Sequence, residues 1–273
     1  KKVRWIRTTK KRGNGKLPEH MLTEDDVEKL IGAARNPRNR AMISVMWETG
    51  TRPGEFLDAK VGDIEERKHG KKVMVDGKTG PRRLPLVSSV PHLNAWISQH
   101  PAGGDPRAPL WCRLDGHPRE RIDYDYFRKL LREIAERAGV GKPMRPYQFR
   151  HSRATYLANW LTEAQMCEYF GWVQGSDRPR TYVHLSGRDI DLAYDRMHGF
   201  VPRDEGRPKL SPRECPRCGE MNGARGKFCY RCGLPLDFET AVRIQEDEKI
   251  AGALYDEGVE ASGNIRRLVE RMV

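Results

Sequence analysis

KKVMVDGKTGPRRLPL, residues 71–86, decides the fold, because it is where the pattern of the chain turns from helix to strand. KKVMV and RRLPL have the length and β-branched or apolar content of short strands, and DGKTG between them has the glycines of a turn. This predicts a hairpin with Lys78 at or near its tip. Outward in both directions the period is helical. Thr23 with Asp26 three residues on is a helix-start signal, and Val27, Leu30, Ile31 and Ala34 follow at helical spacing. A second apolar helix over 38–49 stops at Gly50. Downstream, Phe127, Leu130, Leu131, Ile134, Ala135 and Ala138 mark an amphipathic helix closed by Gly139, and further helical patterns fall at 148–160, 162–170 and 189–197. The expected class is mainly α with one small antiparallel β-sheet, followed by a small ribbon and a helical C-terminal tail.

The chain divides by composition. Residues 1–19 are expected to be a basic arm or linker, since 1–16 carry eight basic side chains and no acid. A core-bearing domain is expected over 20–202. Residues 203–212, polar and proline-bearing, read as a linker. A cysteine ribbon is expected over 213–237 and a charged, mostly helical tail over 238–273. The chain starts at Lys1 rather than Met, so a fragment lacking an upstream domain is expected.

Lys and Arg total 50 against 38 Asp and Glu, a net charge of +12 over 273 residues. Such an excess points to a polyanion, either nucleic acid or an anionic membrane surface. No stretch approaches the roughly 18 apolar residues of a membrane span and no signal core is visible, so a soluble, cytoplasmic protein is expected. Cys215, Cys218, Cys229 and Cys232 form two Cys-x-x-Cys pairs separated by ten residues, with Gly219 and Gly233 directly after them. Four thiolates so spaced can surround one zinc ion tetrahedrally, and the metal would hold together a segment too small to own a core. Arg213, Arg217, Arg225, Lys227 and Arg231 decorate the segment, which suits either DNA backbone or a protein partner.

Arg52, Glu55, Lys78, Tyr147, Arg150, His151, Trp172 and Tyr182, a constellation spread over some 130 residues, together resemble the pattern of the tyrosine recombinase, or phage-type integrase, family. TGTRPGE at 49–55 is similar to the family segment with an arginine after a helix-ending turn, giving Arg52 and, three residues on, Glu55 as its supporting carboxylate. The hairpin turn DGKTG at 76–80 resembles the one that delivers a lysine, here Lys78. YQFRHSRAT at 147–155 resembles the box usually written His-x-x-Arg-His, giving Arg150 and His151, with Tyr147 where the family most often has histidine. FGW at 170–172 matches its Gly-His or Gly-Trp element through Trp172, and ten residues later Tyr182 in TYVHL stands where the family's nucleophile stands. A zinc ribbon on such a domain looks like an archaeal or archaeal-virus arrangement.

The resemblance, which covers about residues 20–200, implies a nucleoid-associated enzyme that cleaves and rejoins double-stranded DNA at an attachment site through a 3′-phosphotyrosine. The resemblance implies that it would act as a homotetramer around two duplexes. Two guanidiniums, Arg52 and Arg150, would hold the phosphate as its charge grows. Lys78 would protonate the leaving 5′-oxygen. Trp172 would donate its indole N–H, and Tyr147 a hydroxyl in place of an imidazole. Bond energy kept in the phosphotyrosine implies neither ATP nor a catalytic metal. Two rival readings are a type IB topoisomerase and a noncatalytic DNA-binding descendant. A metal-dependent nuclease is disfavoured because no Asp and Glu cluster accompanies the arginines.

Overall fold

Thr23 starts the first helix: its hydroxyl accepts from Asp26 N while the Asp26 carboxylate accepts from Thr23 N, the reciprocal cap expected from the sequence. The structure, a computed structural model, describes residues 18–185, 194–195, 197–200, 208–249, 253 and 255. Within these, the chain runs α1 (Glu24–Ala33), α2 (Pro37–Thr49), α3 (Pro53–Leu57), β1 (Ile64–Arg67), β2 (Gly70–Gly77), β3 (Gly80–Leu86), α4 (Val90–Ile97), α5 (Tyr124–Ala138), α6 (Pro146–Leu157), α7 (Glu163–Phe170) and α8 (Arg178–Leu185). The short strands β4 (Arg213–Glu214) and β5 (Met221–Asn222) follow, and then a helix over 238–249. Most of the expected arm over 1–19, part of the linker, much of the pattern at 189–197 and most of the tail lie outside the described residues.

α2 is the central helix of the first unit, with every residue from Ala41 to Thr49 buried and Arg38 and Asn39 buried before them. Such a helix needs its polar side chains answered inside. Arg38 donates to Cys112 O and to Tyr126 Oη, and Glu48 accepts from the backbone N–H groups of Val87, Ser88 and Ser89 at 2.8, 3.0 and 2.8 Å. The Glu48 carboxylate therefore sits at the N-terminus of α4, where unpaired N–H groups favour an anion. Gly50, at φ 53°, ends α2 in the left-handed region.

The sheet is antiparallel in the order β1-β2-β3, with Val73 opposite Leu84 and Gly77 opposite Gly80. Val73, Val75, Leu84 and Leu86 are its buried face. The sequence leads to two strands here and the structure has three: β1, read IEER, is an exposed and charged edge strand whose only partly buried residue is Ile64. Two apolar groups hold the first unit. The larger surrounds α2 and includes Trp47, Phe56, Trp111, Phe127 and Phe149; the smaller joins α6, α7 and α8 through Ala154, Leu157, Met166, Phe170 and Tyr182.

The chain separates into two compact units, Lys1–Ser211 and Pro212–Val273. In the second, β4 and β5 pair antiparallel around the cysteine knuckles, and Asp237 caps the helix over 238–249 by accepting from Thr240 N at 2.8 Å. Among the described residues no helix is long and apolar enough to cross a membrane.

Candidate active site

Arg52 stands at the N-cap of the five-residue helix α3, immediately before Pro53. What fixes so short a helix is Phe56, whose ring stacks on Trp111 at 4.8 Å and on Phe127 at 5.4 Å between centroids. With Phe56 held inward, Glu55 turns back on Arg52: Arg52 Nη1 donates to Glu55 Oε1 at 2.6 Å and Arg52 N to Oε2 at 3.1 Å. Arg82 on β3 donates Nη2 to the same Oε2 at 2.6 Å. Burial pushes the Glu55 carboxyl up, but hydrogen bonds from Arg82 and Arg52 outweigh it and hold the group below its ordinary 4.5.

The C-terminus of α7 gathers the cations. A helix leaves its last carbonyls unpaired and carries partial negative charge there. In α7, the N–H groups of Trp172 and Gly171 satisfy Cys167 O and Glu168 O. The next three carbonyls each accept from an arginine: Tyr169 O from Arg82 Nε at 3.1 Å, Phe170 O from Arg150 Nη2 at 2.7 Å, and Gly171 O from Arg52 Nη2 at 3.1 Å. Arg150 Nη1 also donates to Gly50 O at 3.0 Å, which ties α6 to the end of α2. Burial, with the Arg52 charge nearby, lowers the Arg150 guanidinium to about 10, so it is still a cation at neutral pH.

Tyr182 on α8 is 7% exposed and lies flat on Trp172, with ring centroids 5.3 Å apart and planes at 5°. Trp172 stacks in turn on Phe170 at 4.8 Å, and the Arg150 guanidinium lies over both rings at 5.2 and 5.6 Å. The Tyr182 hydroxyl is 2.7 Å from His151 Nδ1, one residue after Arg150 on α6. With the imidazole proton on Nε2, Tyr182 donates to Nδ1. Burial raises the Tyr182 hydroxyl above its ordinary 10, opposed by the charges of Arg150 and Arg178, so deprotonation at neutral pH needs an acceptor in contact. His151 is in that position.

Arg52, Glu55, Arg150, His151, Trp172 and Tyr182 are thus joined by bonds or ring contacts. Lys78 is exposed in the β2–β3 turn. Its neighbour Thr79 donates to Gly171 O at 3.3 Å, so the hairpin tip rests against the same helix end. Tyr147 is 48% exposed on the first turn of α6, one helical turn before His151, and the polar contact to Tyr182 comes from His151. Arg82 and the α7 carbonyls were not singled out by sequence. RRLPL holds two arginines, and the strand period, which puts Arg82 on the face of Leu84, is the signal that distinguishes it from Arg83.

The profile of the phage integrase family matches residues 20–188 of the chain, well over half of its length. The chain belongs to the phage integrase family. Among related proteins of this family, tyrosine recombinase XerD of Bifidobacterium longum is 27% identical over 205 residues, covering 68% of this chain and 65% of that protein. Tyrosine recombinase XerD of Listeria monocytogenes is 31% identical over 202 residues, covering 70% and 65%. The chain therefore spans somewhat less than two thirds of the length of these integrase-family relatives. Its fold is that of the XerA recombinase crystal structure, with TM-score 0.52, 23% identity and coverage of 69% of this chain and 66% of that one. The XerH site-specific recombinase bound to its palindromic difH substrate is similar at TM-score 0.53 and 22% identity, over 67% and 54%.

The matched integrase region ends before the cysteines. Their four Sγ atoms all lie within 4.8 Å of one another, with Cys215 to Cys232 and Cys218 to Cys229 both at 3.6 Å. A tetrahedral ion with metal–sulfur bonds of about 2.3 Å needs sulfurs about 3.8 Å apart, so the donor set fits such an ion. Within this set the shifts divide: at Cys229 burial is outweighed by backbone N–H groups of Cys232 and Arg231, which lower the thiol, while at Cys218 a backbone hydrogen bond from Glu220 is outweighed by burial and the other three cysteines, which raise it.

Proposed function

We propose that the chain is a site-specific DNA recombinase that cuts and rejoins duplex DNA with Tyr182 as nucleophile. The observation that carries this is the Tyr182 hydroxyl on His151 Nδ1 at 2.7 Å, buried beside Arg150 and within the cluster that includes Arg52. Tyr182 Oη attacks the scissile phosphorus and passes its proton to His151. Arg52 and Arg150 take the charge that grows on the nonbridging oxygens through donors not spent on the α7 carbonyls. The phosphorus–oxygen bond to the 5′-oxygen breaks, and Lys78, brought in by the hairpin whose tip Thr79 seats, supplies that oxygen with a proton. A 5′-hydroxyl from the partner duplex reverses these steps. Because the ester bond energy stays in the 3′-phosphotyrosine, the cycle requires neither ATP nor a catalytic metal. Trp172 keeps the Tyr182 ring flat and offers its indole N–H to the phosphate, and Tyr147 offers its hydroxyl.

Strand exchange between two attachment sites calls for four protomers, and the DNA substrate places the enzyme at the nucleoid in the cytoplasm. The catalytic domain is taken as residues 20–202, joined by 203–212 to a zinc ribbon over 213–237 and a tail over 238–273. Zinc held by Cys215, Cys218, Cys229 and Cys232 supplies the ribbon with cross-links and takes no part in the chemistry.

The test is trapping on a nicked duplex carrying candidate attachment DNA, read as a covalent adduct on a denaturing gel in the presence of a chelator. Wild type is expected to form it and Tyr182→Phe to form none. An adduct in Tyr182→Phe refutes the nucleophile. Relaxation of any supercoiled plasmid without site preference would favour a topoisomerase, and binding without an adduct would favour a noncatalytic DNA-binding protein.

A further inference from the structure

We propose that Arg82 is a positioning residue that aims the Arg52 guanidinium at the scissile phosphate by fixing the Glu55 carboxylate between them. The proposal rests on the reading of Tyr182, Arg52 and Arg150 as the cleavage site. Arg82 Nη2 holds Glu55 Oε2, which also accepts from Arg52 N, and Arg52 Nη1 holds Oε1, so the plane of the carboxylate is set by contacts at both oxygens. Without Arg82, Oε2 keeps only the longer backbone contact from Arg52 N at 3.1 Å, and the carboxylate that orients the Arg52 guanidinium is held less firmly. Arg82 is itself immobilised by Tyr169 O, and its side chain is 9% exposed, too deep to touch DNA directly.

Stability alone does not account for this arrangement. Taking an ion pair out of water costs free energy, and Arg82 Nη1 is buried with no hydrogen-bond partner among the described residues, which costs more. The surroundings nevertheless keep room for the pair. Gly77 lacks a positive φ, so its backbone does not demand glycine; a Cβ there would overlap Glu55 Oε1. Across the pair, a Cβ at Gly171 would stand 3.0 Å from Arg82 Nη1 and 2.8 Å from Thr79 Oγ1. Two glycines on separate elements thus border one buried Arg–Glu contact, whose outlet is Arg52.

Arg82 also lies on the strand that follows Lys78, so a loss on substitution could arise through Lys78 instead. The leaving group separates the two. A 5′-bridging sulfur leaves as a thiolate and needs no proton, so it repairs defects in Lys78 and leaves defects in phosphate stabilisation as they are. Adduct formation is measured with the full chain on suicide duplexes carrying either the ordinary 5′-oxygen or the 5′-sulfur, with Lys78→Ala as comparator. Arg82→Gln is expected to be slowed about 10²-fold on both duplexes, the scale of an Å-sized misplacement of a charged group, and Arg82→Lys to recover part of the loss. Lys78→Ala is expected to be slow only on oxygen. The proposal is overturned if Arg82→Gln reacts at the wild-type rate, if sulfur restores it as it restores Lys78→Ala, or if Arg82→Lys is no better than Arg82→Gln. Should Arg82→Gln not fold, Gly77→Ala, whose Cβ crowds Glu55 Oε1 without removing a polar group, is measured on the same two duplexes: slowing on both supports the proposal, and a wild-type rate or rescue by sulfur overturns it. A wild-type protein that forms no adduct on DNA it binds would sink the underlying reading of the site, and Arg82 with it.

Discussion

The arginine cluster and the cysteine cluster both assemble like-charged groups, and they do it in opposite ways. The cysteines come from two knuckles within residues 215–232, and their separation is set locally by turns. The arginines come from α3, β3 and α6, and meet at the end of α7, so no local segment could form that site. The first cluster offers a donor set that a cation would neutralise, whereas the second uses a carboxylate and the carbonyl end of a helix. One is legible as a spacing, while the other exists only when the whole unit is folded.

Metal removal should separate them most sharply. Structural zinc is worth an apparent ~10–16 kcal/mol in small ribbons. Cys215→Ser, or chelation, is therefore expected to take the zinc content from one per chain to none and to collapse the amide dispersion of residues 212–237. Adduct formation through Tyr182 should survive if the clusters are as independent as their construction suggests, and its loss would break the comparison. Next comes Phe56→Ala, expected to cost about 3–5 kcal/mol in denaturant unfolding, because it empties the stack that seats α3.

Glu55→Gln should cost about 3 kcal/mol at neutral pH, since it takes the answering charge from the deeply set Arg82 guanidinium and from the part-exposed Arg52. The folded carboxyl titrates below its ordinary 4.5, so its contribution is complete above that value and is lost as pH falls through the lower, folded one. The melting-temperature gap between wild type and Glu55→Gln should therefore be constant from neutral pH to about 5 and close below 4.5. A gap that closes already near pH 6 would mean the carboxylate is not held as the geometry requires. The smallest effect is Thr23→Ala, about 1 kcal/mol for the loss of one cap, with no change in adduct formation once the protein is folded.

How much could be read in advance follows the same division. Helix starts and stops at Thr23, Gly50 and Gly139 were legible because capping and left-handed turns restrict residue type. The hairpin was legible for its turn, and β1 was not, because an exposed edge strand such as IEER buries almost nothing that could impose a period. In the site, Arg52, Arg150, Trp172 and Tyr182 could be picked out by the company they keep in the chain. Glu48 and the α7 carbonyls could not, and Arg82 only through the strand period that puts it on the face of Leu84. Glu48 is answered by backbone N–H groups and the α7 carbonyls answer side chains from elements far away in sequence, and any residue type supplies the same carbonyl or N–H. The contact between His151 and Tyr182 is another case: their 31-residue separation says nothing of the 2.7 Å between them.

The three carbonyls that end α7 have one more consequence. Guanidiniums brought this close repel one another, and something must do work to assemble them. Here the work is done once, when the chain folds, since the α7 carbonyls hold Arg52, Arg82 and Arg150. The phosphate substrate proposed above would meet dipoles already aimed and would spend little of its binding energy on rearrangement, which is electrostatic preorganisation supplied by the end of one helix.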